Sequence, residues 1–209
     1  LCEIMAVKPP MQAAESLDTL VNYAKDSFSG KTADRIFMYN PDAIAQWTDE
    51  KYPWFLREVT ERAQLRLPLC TVMPSVTPVC FGTMYTGAQP AVHGIRKYEK
   101  PVIKIDTIFD ALIRNGKRCA IIGDNSCSMG KIYLEREMDY FLYDTVDEIN
   151  AKAVELIMAD EYDFIAVYNG NYDKKLHDYG PEHINTLAEM RVNDTVFANF
   201  SLCEVRILS

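Results

Sequence analysis

The run Val146-Asp-Glu-Ile-Asn-Ala-Lys-Ala-Val-Glu-Leu-Ile-Met-Ala159, then Asp-Glu-Tyr-Asp, then Phe164-Ile-Ala-Val-Tyr168, decides the fold. Its first part reads as a strong helix. Its second part is an unbroken apolar strand that leads into Asn169-Gly170-Asn171. A strand that is apolar at every position is buried on both faces, which is the mark of a parallel sheet covered by helices.

The same alternation extends outward along the chain. Arg35 to Tyr39 is a short apolar strand ending at Asn40-Pro41-Asp42. Leu67 to Val72 reads as a second strand, ending at Met73-Pro74-Ser75. Arg118 to Ile122 is a third, Asp139 to Tyr143 a fourth, and Cys203 to Leu208 is strand-like. Helices are expected over Gln12–Phe28, closing near Gly30, and over Lys51–Gln64. Thr77-Pro78 opens another, running to about Tyr85 and closed by Gly87. Asp106–Asn115, stopped by Gly116, and Glu182–Asn199 complete the set. The pattern predicts an α/β fold: a mostly parallel sheet with helices on both faces. It forms one domain over residues 1–209, with an N-terminal helical extension over about residues 1–33.

Composition narrows the partners. The 209 residues include 22 basic and 30 acidic side chains, a net charge of −8. Binding to a nucleic-acid polymer or an anionic membrane needs clustered Lys and Arg, so neither is expected. A small anionic substrate held by a metal is compatible with the charge. No run of eighteen apolar residues occurs, so no membrane-spanning helix is expected. The six cysteines (Cys2, Cys70, Cys80, Cys119, Cys127 and Cys203) form no CxxC pair. Their scattered, mostly apolar settings read as buried free thiols in a reducing, cytoplasmic compartment. The oligomeric state has no signal in the sequence.

In parallel sheets ligands bind beyond the carboxyl ends of the strands, so polar residues just after strands carry the chemistry. Thr77 precedes Pro78 at a helix start. A Thr-Pro pair is an ordinary helix cap and first position. It also sets a hydroxyl among free N–H groups and a positive dipole end, which favours an alkoxide and an incoming phosphate. A neighbouring metal would lower the hydroxyl pKa further. Asp173 and His177 lie four apart and share one face if the segment turns helically; both are ordinary Zn²⁺ or Mn²⁺ ligands. The same pair also suits a solvated turn. Asp42 directly follows a buried strand, as a turn or capping Asp does, and as a metal ligand at that sheet edge does.

Taken in order, these segments resemble the alkaline phosphatase superfamily, most closely its type I phosphodiesterase/nucleotide pyrophosphatase branch. The resemblance rests on Ile36-Phe-Met-Tyr-Asn-Pro-Asp42-Ala43, on Pro74-Ser-Val-Thr77-Pro78 with Thr86-Gly87, Pro90 and His93-Gly94-Ile95, and on Tyr168 to Pro181. It spans residues 35 to about 200. It implies two divalent metal ions, Zn²⁺ first and Mn²⁺ or Mg²⁺ otherwise. Asp42 and Thr77 would belong to one, Asp173 and His177 to the other. Thr77 would attack phosphorus and form a phospho-threonine intermediate. The implied activity is hydrolysis of phosphate esters, phosphodiesters or nucleotide pyrophosphates ahead of monoesters, on a small substrate. The alternatives are a phosphomutase or phosphomonoesterase of the same superfamily, or an inactive binding relative.

By the same resemblance His93 is structural. Tyr98 stands where diesterase relatives carry a phosphate-holding Asn, and Leu176 where they carry Gly. Arg96, Lys97 and Lys100 make a small basic group beside Tyr98, suited to phosphate or to solvent; Tyr98 and Lys97 are the candidate substrate contacts. The family completes its sites with an Asp-His pair and a later His. Their absence reads as a family core incomplete at its C-terminus, and a first residue other than Met as a beginning that is incomplete or processed. Little hydrolase activity is expected of these residues alone.

Overall fold

The computed structural model describes residues 1–208, with side chains through Cys203. Four parallel strands form one sheet: β1 (Ile36–Pro41), β2 (Cys119–Asp124), β3 (Asp139–Tyr143) and β4 (Phe164–Asn169), in the order β1-β4-β2-β3. Register runs Ile36 opposite Phe164, Ala120 opposite Ile165, and Ala120 opposite Asp139. All four carboxyl ends therefore open on the same edge. The helices are α1 (Asp18–Ser27), α2 (Gln46–Lys51), α3 (Arg57–Arg62), α4 (Thr77–Thr86), α5 (Pro90–His93), α6 (Ile108–Ile113), α7 (Ser128–Ile132), α8 (Val146–Ala159), α9 (Asn171–Tyr179) and α10 (Ile184–Leu208).

Alternate strand residues feed two cores, as the pleat requires. Ile121, Phe164, Ala166 and Tyr168 pack with Val79, Phe81 and Tyr85 of α4, Phe109 and Leu112 of α6, and Met129 and Ile132 of α7. Ile122, Ile165 and Val167 pack on the other face with Ile149, Ala153 and Ile157 of α8 and Val196 and Phe200 of α10. Both faces of the sheet are covered, as the apolar strands predict. Among the described residues no helix is long and apolar enough to cross a membrane.

Several elements differ from the sequence expectation, each for a local reason. The N-terminal helix starts at Asp18 instead of Gln12, because Ala14 donates its N–H to the Gly87 carbonyl at 2.9 Å instead of to a helical turn. Cys2, Met5 and Val7 are buried in the α4 core, so this region packs into the domain. Lys51–Gln64 is broken by Pro53, which cannot continue a helix donor ladder, into α2, a 3₁₀ turn over Pro53–Leu56, and α3. Leu67–Val72 is not a strand: Pro68 lacks a ladder donor, and Leu69 stays 81% exposed. Cys203–Leu208 is not a strand either. No Gly or Pro interrupts the chain after Ile184, and α10 continues through it. Phe200 keeps it docked edge-on to Phe37 and Tyr39, at 5.0 and 5.3 Å. The cysteines are all free, but only Cys2, Cys119 and Cys127 are buried; Cys70 is exposed, because its segment never joins the sheet.

Candidate functional site

Thr77 is the first residue of α4 and not its cap. The cap position is Val76, with no side-chain bond to the helix. The Thr77 hydroxyl is therefore not consumed locally. Its Oγ1 donates to Asp42 Oδ2 at 3.1 Å, across 35 residues of chain. The expected ring of free N–H groups is much reduced. Pro78 has no N–H, and Val79 and Cys80 both donate to the Val76 carbonyl at 3.0 Å. An incoming anion would find little backbone support here.

Asp42 sits one residue past β1 and prolongs its ladder, with its N–H donating to the Asn169 carbonyl at 2.9 Å. It caps nothing, since α2 begins at Gln46 with Ala45 in the cap position. Oδ2 accepts a second hydroxyl, from Tyr168 Oη at 2.7 Å. Asp173 stands in the first turn of α9, half-buried. Burial raises its carboxyl pKa, the negative charge of Asp42 raises it further, and His177 opposes the rise. The charge of Asp42 is thus felt at Asp173, after the larger effect of burial. His177 is one helical turn on, with Nε2 3.5 Å from Asp173 Oδ1, and its side chain is 74% exposed.

Thr77, Tyr168 and Asp173 line a cleft of about 500 Å³ at the carboxyl edge of the sheet, together with Tyr98, Lys100 and Asp124 among others; Asp42 stands behind Thr77 and Tyr168, and neither it nor His177 is part of the lining. Lys100 Nζ donates to the Ser126 carbonyl at 2.7 Å and lies 5.4 Å from the centre of the Tyr98 ring. Lys97 does not line it; it pairs with Glu99 at the surface. A larger hollow of about 620 Å³ lies between Lys8–Met11 and Leu134–Arg136. Six of its charges pair off, Arg114 with Asp106 at 2.5 Å, Arg136 with Asp110 at 3.1 Å and Lys104 with Glu135 at 2.6 Å; Lys8 also lines it.

His93 is a structural residue in the geometry, too. Its ring lies against Gly82, where an added Cβ would fall 2.6 Å from Cε1. Nδ1 accepts the Ile95 N–H at 3.3 Å and Nε2 meets Thr83 Oγ1 at 3.1 Å. His183 stacks on Tyr179 at 4.9 Å, away from the cleft lining.

Among the described residues no group of three or more His, Cys, Asp and Glu side chains converges as a metal cage. The donors nearby are the carboxylates of Asp42, Asp124 and Asp173, the Thr77 hydroxyl and, from solvent, His177. They fit a hard divalent cation held by one or two carboxylates with water and substrate oxygens completing its shell. A cation there would turn the repulsion between Asp42 and Asp173 into attraction.

No protein-family model matches the chain, and no curated protein compared with it matches either.

Two cleft residues escape the sequence reading. Asp124 ends β2, and reading that strand only to Ile122 hides it. Its Oδ1 accepts the Ser126 N–H at 2.9 Å and Oγ at 2.7 Å. Tyr168 passes as the last apolar residue of a strand, yet its hydroxyl is the second partner of Asp42. Burial raises the phenol pKa far above its ordinary value, with Asp42 next and Asp124 and Asp173 adding to it. The hydroxyl therefore stays a proton donor.

Proposed function

We propose that this chain carries the nucleophile of a metal-dependent phosphate-ester hydrolase, with Thr77 as the attacking group. The observation that carries the reading is the hydrogen bond to Asp42 from Thr77, which lines a cleft together with Asp173. A helix-capping Thr and a turn-capping Asp would each spend their side-chain oxygens locally. Here both are spent on each other, at the sheet edge where parallel folds bind ligands. The order of Asp42, Thr77, Asp173 and His177 along the chain supports the alkaline phosphatase-like reading.

Asp42 with Thr77, and Asp173 with His177, would hold the cations. Bound divalent ions would lower the hydroxyl pKa and neutralise phosphoryl charge. Such charge is needed, because the start of α4 offers so few free N–H groups. The chain's own groups then act as follows. Thr77 gives up its proton along the bond to Asp42. Its Oγ forms a bond to phosphorus as the bond to the leaving oxygen breaks, and the leaving alcohol takes a proton from water. A water then attacks phosphorus, the Oγ–P bond breaks, and Oγ regains a proton. Lys100 and Tyr98 line the same cleft and suit the substrate's phosphate and leaving group. Phosphodiesters come ahead of monoesters as substrates, on the sequence resemblance.

The test is metal-dependent hydrolysis by the intact natural protein, screened over chromogenic mono- and diesters with Mn²⁺, Zn²⁺ and Mg²⁺. Thr77→Ala is expected to lower kcat by about 10³-fold or more, as removal of a nucleophile does. Hydrolysis that survives Thr77→Ala, or that is indifferent to chelation, overturns the reading.

A further inference from the structure

We propose that Tyr168 is a positioning residue that locks Asp42 in place for this site, and that Gly170 is glycine to give the Tyr168 hydroxyl room. The proposal rests on the metal-dependent reading above.

Asp42 needs a fixed carboxylate because it lies just outside the strand, and Ala43 after it has a left-handed φ of 61°. Two hydroxyls share Oδ2: Thr77 at 3.1 Å and Tyr168 at 2.7 Å. Among the described residues no hydrogen bond reaches Oδ1, which is left for a ligand. Thr77 cannot be the lasting anchor, since its Oγ bonds phosphorus during the reaction. Tyr168 can. Its ring is 6% exposed and held edge-on by Phe81 at 5.7 Å. It is carried by β4, the sheet neighbour of β1, so anchor and carboxylate belong to paired strands.

Two glycines flank the ring. A Cβ on Gly123 would lie 3.5 Å from Tyr168 Cβ, ordinary contact on that side, although it would meet Cys127 Sγ at 2.9 Å. A Cβ on Gly170 would lie 2.9 Å from Tyr168 Oη itself. The Gly170 backbone has φ −97°, which any residue adopts. Gly170 is therefore demanded by the close approach of the hydroxyl and not by the backbone. Partners that orient a ligand carboxylate typically change metal affinity by about 10- to 100-fold when removed.

The experiment measures the affinity of the intact protein for Mn²⁺ alone by electron paramagnetic resonance. The wild type is compared with Tyr168→Phe, Gly170→Ala and Asp42→Asn, each first checked for a cooperative melt. Tyr168→Phe keeps the ring and its packing and removes only the hydroxyl. It is expected to weaken Mn²⁺ binding by about 10-fold or more. Gly170→Ala should weaken it in the same direction by pushing the hydroxyl aside, and Asp42→Asn should weaken it most. If Asp42→Asn lowers affinity while Tyr168→Phe leaves it unchanged, the positioning role is wrong and the metal reading stands. If Asp42→Asn also leaves it unchanged, the metal reading falls and the positioning role with it.

Discussion

Thr77 Oγ1 and Asp42 Oδ2 are joined by a 3.1 Å hydrogen bond that links the start of α4 to the end of β1. Each residue type has a common local use that would leave the pair apart. The helix is instead capped by Val76, without a side-chain bond, and Asp42 caps no helix. A helix start without its cap bond forgoes about 1 kcal/mol. Forgoing it at this sheet edge is the kind of local cost that binding and catalytic sites carry.

The burial of Asp173, with the nearby charge of Asp42 second, has a stability consequence. A carboxyl whose folded pKa is raised destabilises the fold once pH rises above its ordinary value of about 4, and the full cost is present above the raised value. Asp173→Asn removes that cost. In metal-free protein at pH 7 it should raise Tm by about 1–3 °C. With a divalent cation present the ranking should reverse, because the variant loses a ligand. Differential scanning fluorimetry with and without Mn²⁺ reads both. A lower Tm for Asp173→Asn without metal would contradict a raised carboxyl pKa at this position.

His93 predicts a loss of stability on mild acidification. Burial lowers its imidazole pKa below the ordinary value of about 6.5. Below about pH 6.5 the unfolded chain binds a proton that the folded chain refuses, so stability falls until the lowered folded pKa is passed. Urea unfolding at pH 7 and at pH 5.5 should show this drop, and His93→Gln should flatten it. An unchanged slope in His93→Gln would assign the drop to other groups.

Gly82→Ala places a methyl 2.6 Å from the His93 ring, on the helix that begins with Thr77. The clash should cost about 1–3 kcal/mol. Adding His93→Ala should recover part of it, since the ring is the obstacle. Simple additivity of the two losses in a double-mutant cycle would argue that they do not touch.

Asn40 ties the same edge together from below. Its Nδ2 donates to the Val167 carbonyl at 2.9 Å and to Tyr85 Oη at 3.0 Å, joining β1 to β4 and to α4. Asn40→Ala leaves buried polar groups unpaired and should cost about 1–3 kcal/mol. A change within about 0.5 kcal/mol by urea unfolding would mean that water replaces the amide.

Much of the sheet is legible in the sequence because both of its faces are buried, so β1, β2 and β4 announce themselves as apolar runs. The helix α8 is equally plain, with Thr145 and Glu148 closing a capping box at its start. Leu67–Val72 misleads because composition reports apolarity and not a partner. Cys203–Leu208 misleads because β-branched and apolar residues serve a docked helix as well as a strand. Near the cleft, Asp42 and Asp173 are legible because they follow β1 and β4, and Thr77 because Thr-Pro opens a helix, although no strand directly precedes it. Tyr168 is not, because a strand-end tyrosine facing a core looks the same as one facing a carboxylate. Asp124 is not, because two residues of strand extension decide whether it reaches the edge. His177, a clear ligand type in the sequence, lies mostly in solvent.

The most direct test is to trap the covalent state. The intact protein is mixed with a phosphate ester and Mn²⁺, quenched in acid during turnover, digested and sequenced by mass spectrometry. The expected adduct is on the Thr77 peptide: a phosphoryl group from a monoester, or the phosphoryl group with its retained alcohol from a diester. Turnover with the adduct on another residue, or turnover unchanged in Thr77→Ala with Thr77 never labelled in the wild type, would contradict the assignment of Thr77 as the nucleophile.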